Sequence, residues 1–323
     1  MLHPNRRDVL FAAGLAAALG LDRRLAIVAP AAAQTTAPPA SLFHRYKVGD
    51  ITVTALYDGI WEKPHDAGFI KNASVEETKA ALEKAGLPSA FVPVTLTVLV
   101  LNIGGRLVMV DAGSGVGQWQ PTATSLPAAM KAAGIEPKEI KTILLSHFHP
   151  DHILGLMEKG TNAAVYPDAE IIVNAAEYKW WTEEGRVEKL PEGRRPLGAR
   201  IQAVFPRWKT FKLVEPGSEV VPGVRMVGAP GHTPGHAAYV AASGGQQLMI
   251  SSDTAYLPAL LAPNPEWQGA YDQDGPMAVA TRRKLLDQVI ADKMMICGAH
   301  FPFPGAGSIA KDGSAYAFTP VRI

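Results

Sequence analysis

The chain has 323 residues, of which 47% are apolar, so it can bury a large hydrophobic core as one sizeable domain. Its formal net charge is +1 and becomes −1 without residues 1–33, which hold four of the 31 Lys and Arg and two of the 30 Asp and Glu. No basic field is therefore available to attract nucleic acid. The single cysteine, Cys297, cannot form an intramolecular disulfide, so the fold does not require an oxidising compartment.

The N-terminus has the composition of an export signal. Arg6-Arg7 precedes an apolar run over 11–21, and the small residues 31–33 offer a cleavage site. This pattern predicts a twin-arginine signal peptide over 1–33 and a periplasmic or secreted protein. A membrane-anchoring helix is the alternative, but charged residues at 22–24 interrupt the apolar run well short of a span. We therefore expect no stable membrane anchoring.

Residues 34–45 are rich in Pro, Ala and Thr, which predicts a flexible leader ahead of one folded domain over 46–323. The spacing of apolar residues in that domain predicts its elements. Helices are predicted over 75–85, 126–133, 136–141, 175–183 and 281–292, and strands over 46–57, 91–103, 106–110, 143–145, 169–173, 215–227, 237–240, 246–251 and 294–297. At the first helix, Ser74 as N-cap and Glu77 complete a capping box.

The two halves of the domain contain a similar stretch of sequence. Residues 104–111 contain two glycines and an apolar strand that ends in Asp111. They resemble 244–250, which Asp253 follows shortly. Each half of the domain is therefore predicted to hold a hairpin whose second strand delivers an aspartate to the same edge.

A cluster of histidines directly follows the strand predicted over 143–145. His147, His149, Asp151 and His152 fall within six residues. Alternate residues of an extended chain share a face, so the first two histidines lie on one side, and Pro150 starts a turn into a helix that brings the other two ligands to the same space. Four N and O ligands in so short a segment suit zinc or a similar borderline metal. Histidines in a surface loop are the alternative, which is weakened because matching ligands occur later in the chain.

Three later features complete this pattern: the run GHTPGH at 231–236, the strand-end residue Asp253, and His300. Together with HxHxDH at 147–152, they resemble the metallo-β-lactamase superfamily over nearly all of the chain after the signal. The resemblance implies an α/β fold, the αβ/βα sandwich of two mixed β-sheets flanked by helices. A metal centre would lie at the edge where loops from both halves meet.

The resemblance also implies two divalent metal ions, with Zn²⁺ expected and Fe, Mn or Co as alternatives. The implied ligands are His147, His149 and His232 for one metal, Asp151, His152 and His300 for the other, and Asp253 bridging both. Two metals that share a carboxylate and a solvent molecule would supply a bridging hydroxide as the nucleophile. Asp151 and Asp253 would thereby act in catalysis, whereas His236 would support the site without binding a metal.

Two groups of relatives compete for the activity. Residues 49–59 and 299–305 resemble the methyl parathion hydrolases, whereas DTAY at 253–256 resembles the acyl-homoserine lactone lactonases. In the lactonases, a tyrosine at the place of Tyr256 hydrogen-bonds the lactone carbonyl, and a phenol there can stabilise an oxyanion. A packing tyrosine at a strand end is the alternative for this residue.

We therefore expect a lactonase or arylesterase with side activity on organophosphates, and the alternative is an organophosphate triesterase as the main activity. A metal-binding protein without catalysis is a third hypothesis, which the complete ligand set disfavours. The relatives also suggest a homodimer. Phe69, Trp119 and Trp181 are candidates for the pocket walls, and an aromatic cleft would favour small hydrophobic esters, lactones or phosphotriesters.

Replacement of Arg6 and Arg7 by Lys tests the export prediction. Arg and Lys carry equal charge, so any effect would come from receptor recognition rather than electrostatics. We expect precursor to accumulate in the cytoplasm, as measured by cell fractionation and immunoblotting. Normal periplasmic accumulation of the double-Lys variant would refute the twin-arginine assignment.

Overall fold

The computed structural model describes residues 39–321, which contain two β-sheets of seven strands each. The predicted signal peptide lies outside the described residues and stays a prediction. The first sheet contains, in spatial order, β1 (Phe43–Val48), β2 (Ile51–Lys63), β3 (Val92–Ile103), β4 (Arg106–Val110), β5 (Ile140–Leu145), β6 (Glu170–Asn174) and β7 (Phe211–Val214). The second contains β8 (Glu219–Val221), β9 (Val224–Gly228), β10 (Ala237–Ser243), β11 (Gln246–Ile250), β12 (Met295–Cys297), β13 (Ala306–Asp312) and β14 (Ala315–Pro320).

The helices connect these strands. The α-helices within residues 39–321 are α1 (Val75–Lys84), α2 (Leu126–Ala132), α3 (Pro150–Ile153), α4 (Ala175–Thr182), α5 (Arg186–Lys189), α6 (Arg195–Val204), α7 (Pro258–Leu261) and α8 (Gly275–Ala291). Short 3₁₀ turns occupy Pro137–Glu139, Leu154–Leu156, Glu192–Arg194, Phe205–Arg207 and Ser252–Ala255. None of these helices is long and apolar enough to cross a bilayer.

The two sheets pack together through their inner faces. Val53 and Leu101 of the first sheet share a buried cluster with Tyr239 and Leu248 of the second. Helices cover the outer faces through two further apolar clusters, one that includes α6 and one that includes α8. This order of layers confirms the predicted αβ/βα sandwich.

Two equivalent hairpins direct the chain to one edge of the sandwich. β3 and β4 join at Gly104-Gly105, and β10 and β11 join at Gly244-Gly245. All four glycines have positive φ, between 56° and 87°, which a tight two-residue hairpin turn requires at both positions. In each sheet the second hairpin strand then pairs in parallel with the next strand. The predicted repeat is therefore a structural repeat.

Several boundaries differ from the predicted ones. β1 begins at Phe43, inside the predicted leader, because its backbone pairs with β2 from Phe43↔Leu56 onwards. The helix predicted over 136–141 is only one 3₁₀ turn, since pairing with β4 starts β5 at Ile140. α8 starts earlier than predicted because Asp274 caps it by accepting from Met277 N. The β13–β14 hairpin and α6 are not predicted at all.

The N-terminal cap of α1 is the predicted capping box, with Ser74 Oγ accepting from Glu77 N at 3.1 Å. Loss of this acceptor in Ser74→Ala should lower the free energy of unfolding by about 1 kcal/mol, as measured by urea denaturation. The control is Ser89→Ala, which removes only a side-chain bond to Glu83. We expect a change within about 0.5 kcal/mol there, and equal losses in both variants would contradict the capping role.

Candidate metal centre

The end of β5 delivers the first ligand loop. His147 and His149 follow the strand in extended conformation, and His149 is the N-cap of α3 with φ −74° and ψ 158°. Pro150 occupies the first turn of that helix, where its missing N–H removes no helical hydrogen bond. The short helix then carries Asp151 and His152 round to the side of the histidines. The predicted strand, turn and helix are thereby confirmed.

The remaining ligands come from loops that follow strands of the second sheet. His232 follows β9, and His300 follows β12. Asp253 lies in the 3₁₀ turn directly after β11, where Ser252 has a φ of 43° that redirects the chain. The structure therefore brings all seven predicted ligand residues to one edge of the sandwich.

Asp253 is the centre of this cluster. Its Oδ2 lies 3.3 Å from Nε2 of His232 and 3.3 Å from Nε2 of His300. Its Oδ1 lies 3.4 Å from Nε2 of His152, and His147 Nε2 is 4.0 Å from Oδ2. One carboxylate thus faces histidines from both implied ligand sets, as a bridging ligand must.

Several buried nitrogen and oxygen atoms in this cluster lack hydrogen-bond partners within residues 39–321, which is expected of residues that bind metal ions. Nε2 of His147, His149 and His152 and Oδ1 of Asp253 are buried and have no hydrogen-bond partner within residues 39–321. Such atoms are unfavourable unless something binds them. Potential ligand atoms lie within 4.8 Å of one another in three groups: His147, His149 and His232; His147, His152 and Asp253; Asp151, His152 and His300. The first and third groups, which the second group links through His147 and His152, supply nitrogen and carboxylate donors that fit two divalent ions of the zinc type.

Hydrogen bonds orient four of the ligand rings through their other nitrogen. The Nδ1 contacts are His147 to Ser146 Oγ at 2.9 Å, His152 to Asp111 Oδ2 at 2.8 Å, His232 to Asp272 Oδ1 at 2.8 Å, and His300 to the carbonyl oxygen of Thr95 at 2.8 Å. Such contacts fix the tautomer and aim Nε2 at the metal. Asp111 is the strand-end residue that the sequence predicts at this edge of the sandwich. Asp272 is not predicted, because it lies in a loop without any motif.

The protonation states of His147, His149 and Asp253 suit metal binding. Burial lowers the pKa of His147 and of His149 well below the usual value, so both rings are neutral. Burial by itself would raise the pKa of Asp253, but His300 and His152 outweigh it and hold that pKa well below its usual range. The central carboxylate is therefore ionised. At His152, His232 and His300, burial lowers the pKa but the neighbouring carboxylates outweigh it and raise it, so a bound metal ion would displace a proton from each ring.

His236 forms hydrogen bonds with the backbone around Asp253. Its Nε2 accepts from the backbone N–H of Asp253 at 3.2 Å, and its Nδ1 contacts the carbonyl oxygen of Ala229 at 3.1 Å. Burial lowers the pKa of His236 to about 3, which keeps the ring neutral. The ring thus positions Asp253 and belongs to none of the three ligand groups.

A cavity of about 520 Å³ opens onto the centre. Its lining includes the ligands His149, Asp151, His232, Asp253 and His300. Five aromatic residues also line it: Trp61, Phe69, Trp119, Tyr256 and Tyr271. The rings of Trp61 and Trp119 are 5.1 Å apart, and those of Phe69 and Tyr271 are 6.4 Å apart. Phe69 and Trp119 therefore lie where the sequence suggests, whereas Trp61 and Tyr271 are not predicted.

Trp181 does not line this cavity, so the structure contradicts its assignment to the pocket wall. The side chain is fully buried in the outer core of the first sheet, and its Nε1 donates to Glu177 Oε1 at 2.8 Å. The residue lies on the face of α4 that packs inwards. The sequence of this short helix does not predict which face is buried, because aromatic residues lie on several of its sides.

A family model described as the metallo-beta-lactamase superfamily matches residues 91–300. Among curated proteins, an N-acyl homoserine lactonase of Bacillus cereus is 27% identical over 178 residues, which cover 53% of this chain and 60% of that protein. The chain thus spans about 60% of the length of the curated lactonases that it matches.

Two solved structures cover more of the chain. AidC, described as a dizinc quorum-quenching lactonase in complex with a product, N-hexanoyl-L-homoserine, has a TM-score of 0.81 at 25% identity. AbOPH, described as a hydrolase in the beta lactamase superfamily, has a TM-score of 0.79 at 27% identity. Each alignment covers 88% of this chain and 98% of the other.

The geometry predicts two transition metals per chain, measured by elemental analysis of protein purified without added metal. Asp253→Ala should lower this stoichiometry and abolish hydrolytic activity, because two close cations would lose the negative charge between them. A wild-type value of one metal per chain that Asp253→Ala leaves unchanged would contradict the bridging arrangement.

Proposed function

The chain belongs to the metallo-β-lactamase superfamily, and on that premise we propose that it is a dinuclear metal-dependent hydrolase that opens lactones and cleaves aryl esters. The choice of substrate rests on a tyrosine hydroxyl that is buried beside the candidate metal ligands and forms no hydrogen bond within residues 39–321. Tyr256 lines the cavity, is 3% exposed, and its hydroxyl has no hydrogen-bond partner within residues 39–321.

The phenol of Tyr256 is suited to donate a hydrogen bond to a substrate. Burial raises its pKa well above the usual value, so it keeps its proton at neutral pH. Its ring lies 5.6 Å from the ring of His232, which places it beside the ligands. Gly269 leaves room for the hydroxyl, since a Cβ there would lie 1.4 Å from the oxygen. A donor in this position can stabilise the oxygen of an attacked carbonyl as it becomes an oxyanion.

The seven ligands would hold two divalent ions, which when bound lower the pKa of water and polarise the carbonyl under attack. Asp151 lines the same cavity, and its Oδ2 lies 3.2 Å from Nε2 of His300. Burial opposes ionisation of this carboxyl, but His152 and His300 hold its pKa well below the usual range. The carboxylate is therefore ionised, as a metal ligand at this position must be.

The walls of the cavity favour a small apolar substrate. Four aromatic rings besides Tyr256 surround the space, and apolar walls with few polar groups are typical of small-molecule sites. The solved neighbour with a homoserine product in its printed description supports a lactone. Zinc is the metal proposed, because the same neighbour is described as a dizinc enzyme.

Organophosphate triester hydrolysis is the second candidate. The same aromatic walls, Trp61 and Trp119 above all, would accept the aryl group of a phosphotriester. A P=O group polarised by two cations has less need of the phenol of Tyr256. The role of this hydroxyl therefore separates the two activities.

Tyr256→Phe tests the proposed lactonase. It keeps the ring and deletes the donor, and loss of one oxyanion donor typically lowers kcat by ~10² to 10³. Since two cations share the stabilisation, we expect a loss of about 10-fold or more for a lactone such as an N-acyl homoserine lactone or dihydrocoumarin. Activity on a paraoxon-type phosphotriester should be unchanged or higher. The measurement is kcat/KM for one substrate of each class.

Tyr271→Phe is the matched control, because Tyr271 lines the same cavity but its hydroxyl is not among the buried, unpartnered atoms of residues 39–321. We expect it to leave the ratio of the two activities unchanged. Equal, small changes in both activities for Tyr256→Phe would show a packing residue and remove the main support for a lactonase.

A further inference from the structure

Glu177 is a fully buried carboxylate that the metal centre does not use as a ligand. It lies on α4, behind the ligand loops. Each of its oxygens accepts two hydrogen bonds. Oε1 accepts from Phe148 N at 2.9 Å and from Trp181 Nε1 at 2.8 Å. Oε2 accepts from Thr233 Oγ1 at 2.7 Å and from Gly235 N at 3.1 Å.

Three of these four donors belong to the two loops that carry His147, His149 and His232, whereas Trp181 lies on α4 itself. Phe148 stands between His147 and His149, and Thr233 directly follows His232. One carboxylate therefore connects two loops that come from different sheets. The three histidines on those loops form one of the candidate metal groups.

The start of α4 approaches the second loop closely. A Cβ at Gly235 would lie 2.0 Å from the backbone nitrogen of Glu177, so only glycine allows this contact. Asn174, the N-cap of α4, donates from Nδ2 to the carbonyl oxygen of Gly235 at 2.8 Å. The helix end thus binds the loop through both a donor and an acceptor.

The chemistry of the four donors calls for a carboxylate. Three of them are N–H groups, which can only donate, so their partner must offer acceptors alone. Burial raises the pKa of Glu177, whereas the bonds from Thr233 and Phe148 oppose this. Glu177 forms no salt bridge within residues 39–321, and an ionised group without such a partner is unfavourable for stability alone. A role in placing the two loops explains it better.

We propose that Glu177 is a positioning residue that sets the distance between the two ligand loops and so preorganises the three-histidine group of His147, His149 and His232. The inference rests on the metal centre proposed above but not on the choice of substrate. Outer contacts of this kind typically change metal affinity by about 10- to 100-fold.

Glu177→Gln is the first test. It preserves size, but its NH₂ group would meet an N–H donor, either Gly235 N or Phe148 N, in place of an acceptor. We expect apoprotein of this variant to fold and its affinity for Zn²⁺ to fall about 10- to 100-fold. Affinity is measured by competition with a chromophoric chelator, and the Co²⁺-loaded form should show an altered d–d absorption spectrum.

Asp58→Asn is the matched control for the loss of a buried carboxylate. Asp58 is 1% exposed and accepts from Ser114 N, Ser114 Oγ and Leu126 N, none of which lies in a ligand loop. Asp58 also lies near Asp151, so we expect its variant to lower the Tm and to lower Zn²⁺ affinity less than Glu177→Gln does. Equal Tm losses in the two variants, with Zn²⁺ affinity unchanged in both, would overturn the proposal.

Thr233→Val provides a second variant in case Glu177→Gln fails to fold. It is close in shape to threonine and removes only the hydroxyl bond to Oε2. We expect a smaller loss of Zn²⁺ affinity, about 3- to 10-fold, in a protein that folds. Unchanged affinity in this variant would equally overturn the proposal. Because both tests measure metal binding, they are independent of whether lactones are hydrolysed.

Discussion

The structure depends on one constraint, the burial of a carboxylate. Its negative charge must be compensated by nitrogen atoms close to it. Asp253 is removed from water and faces the rings of four histidines that come from three separate loops. No single segment could supply these partners, so both sheets have to end at the same edge. The paired hairpins achieve this, since each sheet repeats the same turn and the same parallel neighbour.

The candidate metal ligands and the walls of the cavity belong to different parts of the molecule. The ligands sit on short turns directly after strands, where the sheets hold the backbone and the Nδ1 contacts hold the rings. The cavity walls come from β2, from loops, from the turn before α6 and from α6 itself, where Arg200 donates to Asn162 and Gln118. Substitutions in the walls can therefore alter the substrate without moving the centre.

The candidate ligands at 147–152 could be predicted from their spacing, because it follows from local strand and turn geometry. His232, Asp253 and His300 are predicted from the resemblance to the superfamily. The supporting residues could not be predicted. Asp272 reaches His232, and Glu177 reaches two loops, only through contacts distant in sequence. The pocket prediction was right for the positions of Phe69 and Trp119 and wrong for Trp181, since the face on which a short helix packs is decided by its neighbours rather than by its own pattern.

The division of the ligands between the two halves also bears on how the molecule is assembled. His147, His149, Asp151 and His152 follow a strand of the first sheet, whereas His232, Asp253 and His300 follow strands of the second. A folding intermediate with only one sheet formed would offer an incomplete coordination sphere. Metal would then bind tightly only after the two sheets have packed together. Binding of the ions would stabilise the native fold relative to partly folded states, so metal uptake would be a late step of folding.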